Sequence, residues 1–170
     1  FLNLELEELK KGKRIEILSL EEKLSIEVEI EGLDFPVRLG GIVDRIDRVD
    51  GVLRILDYKT GMVKATELKM PDFSVMKEGY KYAKSLQVML YAYLYCSLNN
   101  IDESQNVEAG IISFKNLNSG FLKMNFAAGR STDSNISKDR MEDFMEELKL
   151  ILKEIFNPNV PFKENPDKVF

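Results

Sequence analysis

The chain has 170 residues, 44% of them hydrophobic and 31% charged, with a net charge of −5. That size and composition fit one ordinary globular domain and exclude a disordered, collagen-like or disulfide-stapled chain. The acidic balance excludes a grip on nucleic acid by bulk charge, and no run reaches the roughly 20 apolar residues needed to span a bilayer.

The first stretch with a clear texture is β, from Arg14 to Lys59. Ser25, Glu27 and Glu29 alternate with Ile26, Val28 and Ile30, the period-2 mark of a half-buried strand. Extended runs follow over residues 35–49 and 52–59. Residues 61–79 are polar and broken by Pro71, which predicts a loop with at most a turn of helix. Residues 78–99 then read as a long helix that is apolar almost all round and therefore deeply buried. Cys96 lies inside that run as a small hydrophobe.

Two further strands are predicted over 107–115 and 120–126, joined by a turn at 116–119. Residues 127–137 are polar and read as loose. The last helix runs over 137–156, where Met141, Phe144, Met145, Leu148, Ile151, Leu152 and Ile155 recur at i, i+3, i+4 and i+7. Pro158, Pro161 and Pro166 end regular structure. The order β-β-β-α-β-β-α predicts a single mixed α/β domain over 1–170, with a core at about 14–156 and a Pro-rich tail at 157–170.

Histidine is absent and Cys96 is the single cysteine. No Ser-His-Asp triad, His ligand or Cys-rich metal site can be built from this chain alone. Chemistry must use carboxylates, lysine, tyrosine, amides or hydroxyls.

The sharpest local signal is Asp50-Gly51 between two apolar-alternating runs, a type I′ hairpin turn. A two-residue turn there makes facing residue numbers sum to 101. Asp47 then faces Arg54 as an ordinary cross-strand ion pair. Asp44 faces Asp57, an arrangement that costs stability unless something offsets the repulsion. Lys59 falls on the same face as Asp57 by the period of 2, with Ile42 and Ile55 as its apolar neighbours. Two acids and a lysine so placed suit a hard divalent cation, Mg²⁺ or Mn²⁺. The lysine would assist a metal-polarised water beside a scissile phosphate.

Three motifs in order, Gly41-x-x-Asp44-Arg45-Ile46-Asp47, Asp57-Tyr58-Lys59-Thr60-Gly61 and Gln87-x-x-x-Tyr91, resemble those of the PD-(D/E)XK nuclease superfamily. Within it they look most like the RecB-like and AddB-like nuclease domains. The resemblance covers roughly residues 14–156. It implies a restriction-endonuclease-like core, a central mixed β-sheet flanked by helices. Asp44, Asp57 and the Tyr58 carbonyl would be metal ligands, and Lys59 the catalytic lysine. Gln87 and Tyr91 would face the site and order the lysine and the DNA backbone. The residues themselves agree on one point: Gln87 is a lone amide in an apolar run and needs a buried partner.

Arg45 matches the motif arginine, but on the hairpin register it lies opposite Asp44, where an ion pair with Asp47 is expected. Glu21 resembles a glutamate common in this branch and stays outside the predicted site.

The implied activity is metal-dependent hydrolysis of DNA phosphodiesters, as an exonuclease in a cytoplasmic repair or recombination helicase–nuclease. DNA and a helicase domain or subunit would be the partners. The alternative is a catalytically inactive module of the same fold that binds DNA or a partner protein. Basic patches at Lys10, Lys13 and Arg14 and at Lys77, Lys81 and Lys84 would help hold DNA. The branch's upstream histidine and C-terminal cysteine cluster have no counterpart, as expected either of truncation at both ends or of natural loss in a degenerate domain. An iron–sulfur cluster would belong only to a longer parent chain.

Overall fold

The computed structural model describes residues 2–101, 104–128 and 131–162. Its elements, in order, are α1 (Leu2–Lys10), β1 (Ile15–Val28), β2 (Val37–Val49), β3 (Val52–Lys59), β4 (Lys69–Met70), α2 (Ala83–Asn99), β5 (Val107–Ser113), β6 (Phe121–Lys123), β7 (Asn125–Ala128), β8 (Ser131–Asp133) and α3 (Lys138–Ile155). Five strands form one sheet in the order β1-β2-β3-β5-β6, and β4, β7 and β8 form a small second sheet. In the large sheet β3 and β5 run parallel and the other neighbours antiparallel. The parallel pair requires a crossover, and α2 lies within it. This is the mixed central sheet with flanking helices expected of a restriction-endonuclease-like fold.

The turn at Asp50-Gly51 sets the β2–β3 hairpin. Both residues take positive φ, 50° and 88°, as a type I′ turn demands. Val49 pairs with Val52, Asp47 with Arg54 and Arg45 with Leu56, so the sum of 101 holds.

One face of the sheet packs on α2. Ile46, Leu53, Ile55, Val88, Met89 and Ala92 are buried there, and Phe144 of α3 closes the next layer through Tyr93 and Phe73. Cys96 is buried as read, and desolvation pushes its thiol up to about 12, so it is inert.

Three expectations are corrected and one helix is new. Helix α2 begins at Ala83 rather than residue 78, because Gly79 turns the chain at φ 111° between two 3₁₀ turns, Phe73–Glu78 and Tyr80–Tyr82. The strand read over 120–126 is two strands that part at Met124 and join different sheets. The stretch read as loose contains β8, paired antiparallel to β7. The first helix, α1, carries no fully buried residue and gave the sequence no core signal. The predicted tail is described only as far as Phe162, and the rest of it lies outside the described residues.

Candidate active site

The site forms where the middle of β2 and the end of β3 meet the first turns of α2. The backbone ladder of β2 with β3 runs as far as Arg45–Leu56. Beyond it the Asp44 carboxylate accepts the Tyr58 amide at 2.6 Å, so a side chain joins the strands where the ladder stops.

A kink places Asp44 there. The pairing of β1 with β2 follows one register on either side but skips Glu21 and Asp44, and Glu21 sits at φ 51°. On the Gly41 side of the kink the odd-numbered residues of β2 face the core, with Val43 fully buried. On the far side Ile46 is buried and Arg45 and Asp47 point the other way. Irregularities of this kind re-aim side chains, and they are common beside active sites. Ile42 is thereby corrected: it is 51% exposed and does not share the acids' face, whereas Ile55 is buried there as predicted.

Asp57 and Lys59 face α2 from β3. The Lys59 ammonium lies 2.8 Å from the buried Asp57 Oδ2 as its ion-pair partner. Burial raises the Asp57 carboxyl above its ordinary pKa; Lys59 opposes that rise and Asp44 adds to it.

Lys59 Nζ also donates to Gln87 Oε1 at 2.9 Å, and Gln87 Nε2 donates to the Tyr91 hydroxyl at 3.0 Å. The half-buried Gln87 amide therefore has partners at both of its ends. Gly41 is needed for this approach, because a Cβ there would lie 2.5 Å from the Tyr91 ring. Tyr91 thus packs directly on the β2 backbone beneath the site.

Sequence reasoning missed the residues that fix the segment after Lys59. Ser113, fully buried at the end of β5, donates to the Gly61 carbonyl at 2.7 Å and accepts the Val63 amide at 3.2 Å. Asn116 donates to the Val63 carbonyl at 3.0 Å. The signal available was a hydroxyl closing a run, Ala109–Ile112, that is otherwise without polar side chains.

The opposite face of the hairpin holds Arg45, Asp47, Arg54 and Tyr58. Asp47 is wholly buried and accepts two bonds of 2.7 Å from Arg54, while Arg45 Nε lies 2.7 Å from it. Arg45 also pairs with Glu5 of α1 and interacts with the Tyr58 phenol. The Asp47–Arg54 pair is therefore part of a buried network, more than the ordinary pair predicted. A groove of about 540 Å³ lies on this side, between α1 and the sheet, away from Lys59.

Neither basic patch is an open set of lysines. Lys10 pairs with Glu7, Lys13 with Glu8, Lys77 with Glu154 and Lys84 with Glu67, and Lys81 lies over the Tyr82 ring. Among the described residues no third His, Cys, Asp or Glu joins Asp44 and Asp57 in a metal-holding group, and Glu21 is exposed. No described helix is long and apolar enough to cross a membrane.

Comparison with known proteins adds family membership. No curated protein matches the chain. The solved structure of SSO0001 is similar at 13% identity and a TM-score of 0.35, covering 95% of this chain and 69% of that one; a likeness so distant carries no argument. The family model of the PD-(D/E)XK nuclease superfamily matches residues 3–167. With nearly the whole length matched, the chain belongs to the PD-(D/E)XK nuclease superfamily.

Proposed function

We propose that this domain hydrolyses DNA phosphodiester bonds with a divalent cation, Mg²⁺ or Mn²⁺, held by the Asp44 and Asp57 carboxylates and the Tyr58 carbonyl. One observation carries the reading: a nearly buried carboxylate, Asp57, has the Lys59 ammonium as its ionic partner and feels the charge of a second acid, Asp44. An all-oxygen donor set suits a hard cation. When bound, such a cation polarises water and neutralises phosphate charge.

The chain's own residues do the rest. Lys59, partly exposed, holds a positive charge at the mouth of the site, where it stabilises negative charge developing on a phosphate oxygen. Gln87 accepts one of its protons and so fixes where the ammonium points. Tyr91 orients Gln87 in turn. The RecB-like exonuclease identity, the repair or recombination setting and a helicase partner are proposed from the motif resemblance.

A second reading, an inactive nuclease-fold module that binds DNA or a protein, is favoured by the lack of a third metal-ligating side chain among the described residues. Calorimetry with Mn²⁺ separates the two. The nuclease reading expects binding that disappears in both Asp44→Ala and Asp57→Ala, and DNA cleavage that is abolished by Asp57→Ala and by Lys59→Ala. Cleavage retained in both of the latter variants would overturn the mechanism.

A further inference from the structure

The peptides that follow Lys59 are held by their carbonyls. The Lys59 carbonyl accepts the Phe114 amide at 2.8 Å, and the Gly61 carbonyl accepts the Ser113 hydroxyl at 2.7 Å. Val63 is tied through both its backbone groups, its amide to Ser113 and its carbonyl to Asn116. The peptide bonds are trans, so each N–H points away from the carbonyl of the residue before it. With the Lys59 and Gly61 carbonyls turned toward the end of β5, the Thr60 and Met62 amides are turned away from it. Tyr58, two residues before Thr60, gives its amide to the Asp44 carboxylate. The Thr60 and Met62 amides meet no such acceptor: among the described residues neither has a hydrogen-bond partner, and residues 60–62 are exposed.

An exposed amide ordinarily meets water, and the residue between these two is what singles them out. Gly61 does not take a positive φ, and a Cβ there would meet nothing within 4 Å. Neither backbone conformation nor packing therefore asks for glycine. What glycine does at such a place is leave the backbone uncovered, so that a ligand can come close. Ser113, fully buried, fixes the turn from beneath. Two N–H groups uncovered and aimed before a ligand arrives are donors for an anion. They lie within about 10 Å of Lys59 along the chain. A DNA strand advances about 3.4 Å per nucleotide, so one strand can bring a phosphate to Lys59 and another to the turn.

We propose that the Thr60 and Met62 amides form a second phosphate contact, one to about three nucleotides from the phosphate at Lys59, and that Ser113 is the positioning residue that aims them. This inference rests on the nuclease reading of the site and adds a contact that the metal and Lys59 do not supply.

The test variant is Gly61→Val, whose side chain covers the backbone between the two amides without entering the core. It is expected to melt like the unaltered chain. The substrate is an end-labelled oligonucleotide with one uncharged methylphosphonate linkage, offered both single-stranded and annealed. It is cut with Mn²⁺ in a single turnover, and product lengths are read at each nucleotide. In the unaltered chain the neutral linkage is expected to slow cleavage at one fixed distance from it by about 10- to 100-fold. Gly61→Val is expected to cut the unmodified strand more slowly by a similar factor, and the neutral linkage at that distance should slow it little further. Ser113→Ala is expected to lose the same sensitivity, because the hydroxyl that aims the amides is gone. A purely structural effect would slow both substrates alike. Gly61→Val cutting as fast as the unaltered chain, or keeping full sensitivity to the neutral linkage, would overturn the contact and leave the nuclease reading standing. Absence of cleavage in the unaltered chain would overturn both.

Discussion

The two faces of the β2–β3 hairpin handle charge in opposite ways. On the outer face two guanidiniums, Arg45 and Arg54, meet two carboxylates, Asp47 and Glu5. On the inner face one ammonium, Lys59, pairs with Asp57, while the second carboxylate, Asp44, accepts only the Tyr58 amide among the described bonds. The outer set balances its charge, two guanidiniums against two carboxylates, although Arg45 Nε and Nη2 have no hydrogen-bond partner there. The inner set is left with an excess of negative charge beside a partly exposed lysine. Alternate residues of the same strands supply both sets, so composition alone does not tell them apart. What distinguishes a structural cluster from a reactive one here is whether the charges close on themselves.

The largest effect that tests this comparison is on stability. Removing one partner of a buried pair leaves an uncompensated charge and costs about 3–5 kcal/mol. Asp47→Ala strands two guanidiniums and should lower the melting temperature by roughly 10 °C or more. Asp57→Ala removes a carboxylate whose charge is opposed by burial and by Asp44, so the metal-free protein should melt close to the unaltered one. Thermal unfolding without metal checks both. If the two variants melt alike, the faces do not differ in the way proposed.

A smaller effect sharpens the inner face. Gln87→Met keeps volume on α2 but removes the acceptor that Lys59 uses and the donor to Tyr91. A lysine freed to wander by an ångström should lower kcat by about 10- to 100-fold. KM should change far less, because the ammonium's charge remains. Single-turnover cleavage measures this, and an unchanged rate would remove Gln87 from the positioning of Lys59.

The hairpin was legible because its turn and pattern are local. Asp50-Gly51 set the register, and the register placed Asp57 and Lys59 on one face. Gln87 announced itself as a polar group in an apolar helix. The kink at Glu21 and Asp44 was not legible, because a glutamate carries no signal for positive φ; its placement is imposed by the two strands together. Strict alternation carried past that point put Ile42 on the wrong face. The Arg45–Glu5 contact joins residues 40 positions apart, and nothing in the pattern of α1 points to it. The basic patches read as open surface because their acidic partners include Glu67 and Glu154, distant in sequence from the lysines they meet. Short polar strands such as β8 lack any apolar alternation and are defined by pairing alone.

The smallest effect concerns a surface pair that helps seat α2. The Glu67 carboxylate accepts from Lys84 on α2 at 2.8 Å and from the Lys64 amide at 2.8 Å. The Lys84 hydrogen bond chiefly, and the amide next, hold its carboxyl below the ordinary value of 4.5. A carboxyl with a depressed pKa in the fold releases its proton more readily there than in the unfolded chain. It therefore contributes stability that is fully present above the unfolded value and is lost as pH falls through the folded one. The pair is well solvated, so Glu67→Gln should cost only about 0.2–1 kcal/mol at pH 7. That difference should shrink below pH 4.5 as the unaltered carboxyl takes up its proton. It should also shrink in high salt. Melting curves of the two forms across that range decide it. A difference that persists at low pH would mean that Glu67 anchors the α2 end by packing, with its charge irrelevant to how the first turn of that helix meets Lys59.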